Sequence, residues 1–147
     1  MNRKVKMLLT ICVCAAFLPV QVAAAEAEYA DMTALLEAWA EQTPQDEAMY
    51  KVCGFTWYPD YVTGVWVNNS TPDHYTVGVV AGEAGTRGRQ EILGAVADDR
   101  TVQFVTQTYS MQELCAIHYA LYTESLGKLD GLTSISADMQ GNVIVIG

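Results

Sequence analysis

"TVQFVTQTYSMQELCAIHYALY", residues 101 to 122, changes its periodicity once, and that change decides the fold class. Over 101–109, Val102, Phe104 and Thr106 alternate with Gln103, Val105 and Gln107, the period-two pattern of a strand. Ser110 followed by Glu113 is then a capping box, in which each side chain satisfies a free backbone donor of the first helical turn. Tyr109 and Leu114 occupy the two positions of a hydrophobic staple. Leu114, Ile117 and Leu121 continue one helical face, and Gly127 is the expected C-cap. A strand runs directly into a helix.

Outward from this junction the same two periods recur. "DMTALLEAWAEQ" (31–42) predicts a helix with Asp31 as N-cap and Met32, Leu35, Leu36 and Trp39 on one face, stopped by Pro44. The polar stretch up to Cys53 reads as a connector with at most a short helical turn. "YVTGVWVNN" (61–69) and "HYTVGVVAG" (74–82) suit a hairpin whose loop, "NSTPD", is longer than two residues. "TRGRQEILGAVA" (86–97) is a weaker helix, because Gly88 and Gly94 lower its propensity. A strand at 132–138, a tight turn through "MQGN" and a strand at 142–146 complete the chain. The expected order is α-β-β-α-β-α-β-β, an α+β fold with an antiparallel-rich sheet and helices packed on one face. Helices flanking single strands leave room for some parallel pairing.

The first 25 residues have the layout of a secretory signal peptide. Arg3, Lys4 and Lys6 precede an apolar run from Met7 to Val20 and a small-residue cleavage signal at Ala23–Ala25. Residues 26–52 then read as an N-terminal helix and connector, and 53–147 as the α+β domain. Without the leader's three basic residues, five Lys and Arg remain against 17 Asp and Glu, a formal charge of −12. Such a surface repels phosphate backbones and argues against nucleic acid as a partner. No second apolar run suggests a membrane span, so the expected location is secreted, periplasmic or at the cell surface.

Cys53 and Cys115 are the cysteines outside the leader. In an oxidising compartment they are expected to form a disulfide, worth roughly 3–4 kcal/mol if unstrained. Cys115 and His118 stand three residues apart, but a structural zinc site needs four ligands, usually in closely spaced pairs, and Cys53 and His74 are each isolated. No metal is expected. A Cys115–His118 catalytic pair is disfavoured because a helix interior offers the thiolate no array of donors. Serine-nucleophile signatures are missing as well. "GEAGTRG" (82–88) lacks the lysine of a phosphate loop, and "DMQGN" lacks the spaced oxygens of a calcium loop, so no cofactor is expected. Trp57, Tyr58, Tyr61 and Trp66 are expected in core and sheet packing; as an open face they would support an alternative. That alternative is a secreted hydrolase or small-ligand binder using the aromatic hairpin and His74 or His118.

"VQFVTQTYSMQEL…GLTSISADMQGNVIVIG" resembles pro-domain-like segments that precede the catalytic domain in bacterial secreted trypsin-like serine proteases of the α-lytic protease and streptogrisin group. "CGFTWYPDYVTGVWVNN" is loosely similar to an earlier strand region of the same segments. The resemblance implies a folding chaperone or inhibitor rather than an enzyme, laying its sheet against a protein partner, a secreted serine protease. The chain ends at Gly147, where the protease would begin, so the resemblance carries no catalytic residue and no inhibitory tail. What it implies is a sheet edge offered to a partner strand, and Asn142, Val143, Ile144, Val145 and Ile146 are the candidate surface.

Overall fold

The computed structural model describes residues 26–68, 70–125 and 128–147; of Asn68, Pro72 and Asp73 only the backbone is described. The leader and the Gly127 cap lie outside the described residues. Four helices and five strands follow in the order α1 (Met32–Ala40), α2 (Glu47–Cys53), β1 (Val62–Asn68), β2 (Thr71–Val80), α3 (Glu83–Ala95), β3 (Val102–Gln107), α4 (Met111–Ser125), β4 (Ile135–Asp138) and β5 (Val143–Ile146). The α+β class holds. Among the described residues no helix is long and apolar enough to cross a membrane.

The order differs from expectation by one element. Residues 47–53 form a full helix, α2, because Met49 and Tyr50 on one face are buried and Gly54 closes its end. Gly54 adopts the left-handed conformation (φ 77°), from which its N–H bonds the Tyr50 carbonyl at 2.8 Å. The β1–β2 loop is also shorter than expected, since β2 begins at Thr71. Pro72 is tolerated there because β3 pairs with β2 only from Tyr75 onward, so its missing donor interrupts no central ladder.

The strands make two sheets rather than one. β1 and β2 pair antiparallel, β2 and β3 pair parallel across the α3 crossover, and β4–β5 is a separate antiparallel hairpin. The helices do not share one face. Val62, Val77 and Val79 point from the three-stranded sheet into a core with Met32, Leu35 and Trp39 of α1 and Ile92 and Val96 at α3. Each such burial contributes about 1.5–3 kcal/mol. The opposite face is covered by the β4–β5 turn: a Cβ on Gly64 (φ 154°) would stand 2.0 Å from the Met139 side chain. A bulge places Thr63 and Gly64 together opposite Gly78. On that face the buried Thr63 hydroxyl bonds Gln107, whose amide donates to the Met139 and Gln140 carbonyls at 3.3 and 2.9 Å.

A second core joins α2 to α4. Met49, Tyr50, Met111 and Cys115 are buried together, with Phe55, Tyr119 and Met139 packed around them. The start of α4 is built as its sequence predicts. Ser110 N–H donates to Glu113 Oε2 at 2.8 Å, and Glu113 N–H donates to Ser110 Oγ at 3.2 Å. Residues 26–52 supply side chains to both cores.

Candidate functional site

Two features outside ordinary packing stand out: the free edge of the hairpin, and a group of polar side chains between α2 and α4. The hairpin turn is an Asx turn, with Asp138 Oδ1 accepting from the N–H groups of Gln140 and Gly141, each at 3.0 Å. Asn142 follows in the left-handed region (φ 54°) and is buried. Its Oδ1 accepts from Thr108 and Tyr109 N–H at 3.0 and 2.8 Å, and its Nδ2 donates to the Tyr109 carbonyl at 2.7 Å. Asn142, one of the five candidate partner-contact residues, is therefore committed inside the chain. It clamps the hairpin to the β3–α4 junction.

The other four occupy β5. Ser134 and Gly147 exchange both backbone hydrogen bonds at 3.0 Å. Antiparallel ladders alternate bonded and non-bonded pairs, so Ser136–Val145 and Asp138–Val143 are the next bonded pairs. Ile144 and Ile146 consequently aim their N–H and C=O groups away from β4. The two-stranded sheet ends there. On the β4 side the equivalent edge is covered, because the Ile135 carbonyl meets His118 of α4 at 3.0 Å. Val143 and Val145 are each 47% exposed and Ile146 60%, whereas Ile144 is half-buried.

Between α2 and α4 the structure brings Cys53 and Cys115 together as free thiols, Cys53 packing against the buried cluster that holds Cys115. Cys115 is fully buried; Cys53, at the end of α2, is half-exposed. His118 is buried, and its Nε2 must be the donor to the Ile135 carbonyl, since a carbonyl only accepts. In the neutral ring this leaves the lone pair on Nδ1, which is buried without a hydrogen-bond partner of ordinary geometry. Tyr50 Oη is likewise buried and unpartnered.

These neighbours make the thiols unequal. Cys115 first, against the opposing effect of burial, and then His118 together bring the Cys53 thiol down to about 7. Cys115 is pushed up, first by its hydrogen bond to Cys53, then by burial and by the charge of Cys53. Burial, followed by the charges of Cys115 and Cys53, raises Tyr50 to about 12. His118 thus acts on the Cys53 thiol across the helix interface as well as standing three residues from Cys115 on its own helix. The sequence carried one signal for this, a cysteine just before a helix-ending glycine in "EAMYKVCG".

The alternative site residues are not brought together. Trp57, Tyr58 and Tyr61 pack onto the first core, with Tyr58 edge-on to Trp39 at 5.9 Å. His74 lies half-buried on β2, while His118 lies under β4. Among the described residues, no group of three or more His, Cys, Asp or Glu is arranged to hold a metal ion. No known family, no curated protein and no solved structure matches this chain.

Proposed function

We propose that this is an exported, non-enzymatic protein that works by protein–protein contact, adding a partner's strand to the open edge of β5. The observation that supports this reading is the outward row of backbone donors and acceptors at Ile144 and Ile146, flanked by the exposed Val143 and Val145. An unpaired apolar edge is a template for strand addition, in which main-chain bonds supply affinity and alternate side chains set register. The resemblance to pro-domain segments supplies the first partner class to try, a secreted trypsin-like serine protease. A role as its chaperone or inhibitor follows from that class.

The test is a proline at Ile144. Proline removes an N–H that points away from β4, so the hairpin's own ladder keeps its bonds. Chain 26–147 is immobilised and binding is measured against a panel of secreted serine proteases and against the secreted proteome. Ile144→Pro is expected to weaken capture about tenfold, the worth of a lost hydrogen bond and strand fit, with circular dichroism and thermal melt unchanged. Equal binding by a still-folded Ile144→Pro protein would overturn the edge-strand reading. No binding across the panel would remove the protease as partner.

A further inference from the structure

We infer that Cys53, Cys115 and His118 form a thiol–disulfide exchange site in which Cys53 attacks a small organic disulfide and Cys115 resolves the product. This assignment is independent of the β5 edge and goes beyond a passive structural bridge. It stands on three geometric facts. Cys53 packs against the buried cluster that contains Cys115, and both are free thiols. Only Cys53 is accessible from outside, because Cys115 is fully buried behind it. The bond from His118 Nε2 to Ile135 leaves Nδ1 as the one ring nitrogen free to receive a proton, and that atom is buried without a hydrogen-bond partner.

The chemistry balances with a disulfide as oxidant. The Cys53 proton passes to His118 Nδ1, and the Cys53 thiolate attacks one sulfur of the disulfide. A Cys53 mixed disulfide forms, and the first thiolate leaves with the proton from His118. Cys115 then attacks the Cys53 sulfur, forming the Cys53–Cys115 bond; the second thiolate leaves and takes the Cys115 proton. Two electrons move from the protein pair to the oxidant, giving two small thiols. The order of attack follows from accessibility and thiolate character, which set thiol reactivity.

Cys115 and His118 of α4, with Tyr50 of α2, are the titratable groups facing Cys53, and Met139 from the hairpin turn packs alongside without titrating. The wild-type arm of the test uses the folded, reduced chain with one equivalent of iodoacetamide, followed by unfolding and peptide mapping. At least about tenfold more label is expected on Cys53 than on Cys115. Equal labelling, or preference for Cys115, would overturn the assignment.

The second arm uses oxidised glutathione. Wild type should end as an intramolecular disulfide with two glutathiones released, whereas Cys115→Ala should hold a stable mixed disulfide on Cys53. A persistent mixed disulfide in wild type would overturn the resolving role of Cys115. His118→Gln keeps a donor for the Ile135 carbonyl but removes the Nδ1 base. It should move the alkylation–pH midpoint of Cys53 upward, which loss of packing alone would not do; an unmoved midpoint excludes His118 from the site. Should Cys115→Ala fail to fold, the wild-type labelling ratio decides.

Discussion

Asn142 and Tyr109 exchange two hydrogen bonds, the Tyr109 N–H donating to Asn142 Oδ1 at 2.8 Å and Asn142 Nδ2 donating to the Tyr109 carbonyl at 2.7 Å. With Thr108 N–H also held at 3.0 Å, one side chain satisfies the backbone just before the α4 cap. Asn142→Ala deletes all three bonds and leaves alanine at φ 54°. The loss should be roughly 2–4 kcal/mol. Asn142→Gly should recover about 1 kcal/mol of it by removing the backbone strain. Urea midpoints of the three proteins measure this directly; equal midpoints for Ala and Gly would mean the left-handed backbone costs nothing.

Gly88 and Gly94 sit on the same helix and should respond oppositely to alanine. A Cβ at Gly88 would stand 2.2 Å from the Tyr61 ring, near its attachment to the chain, where the ring cannot swing aside freely. Overpacking of that kind costs about 1–3 kcal/mol and outweighs the ~1 kcal/mol gained in helix propensity. At Gly94 nothing lies within 4 Å, so Gly94→Ala should gain nearly the full ~1 kcal/mol. Thermal melts of the two variants should move in opposite directions. A stabilised Gly88→Ala protein would show that Tyr61 does not lean on α3.

Ser110→Ala removes one half of the reciprocal cap on α4. The expected cost is ~1 kcal/mol. Because Ser110 is buried, glycine should not rescue the loss through water as it does at an exposed cap. An unchanged denaturant midpoint would mean that α4 starts elsewhere.

That cap was legible in the sequence because its partners lie three residues apart and the chemistry is local. The Asp31 cap of α1 was legible for the same reason, and Ala34 N–H does bond Asp31 Oδ1 at 3.0 Å. The split into two sheets was not. It depends on α4 lying against the β4 edge through His118 and Ile135, a contact between elements that periodicity does not encode. Helix α2 was missed because seven residues make barely two turns and carry little periodic signal; its helix is held by Met49 and Tyr50 packing on α4. At the hairpin, the residue types in "MQGN" announced a turn, but nothing local marked Asn142 as the clamp. The packing of Cys53 beside Cys115 belongs to the same class. The expected Cys53–Cys115 disulfide rested on compartment and count alone, whereas the packing of the two free thiols beside each other depends on the helix interface.

The reduced chain should show an unusual pH dependence of stability. Folding lowers Cys53 from its ordinary 9.0 to about 7, so between about pH 7 and 9 the folded thiol is ionised while the unfolded one keeps its proton. The unfolded state then binds more protons, and stability rises with pH across that window. Cys115 is shifted the other way: above about 9 its unfolded form ionises while the folded form resists. Stability should therefore fall beyond that point. Tyr50 and Tyr61, both raised above 10.0, steepen the fall at higher pH. Urea midpoints of the reduced protein should peak near about pH 9. The disulfide form has no thiol to titrate, so it should lack the rise between 7 and 9 and keep only the tyrosine-linked decline. A reduced protein whose midpoint stays constant or falls between pH 7 and 9 would show that Cys53 is not held as a thiolate in the fold.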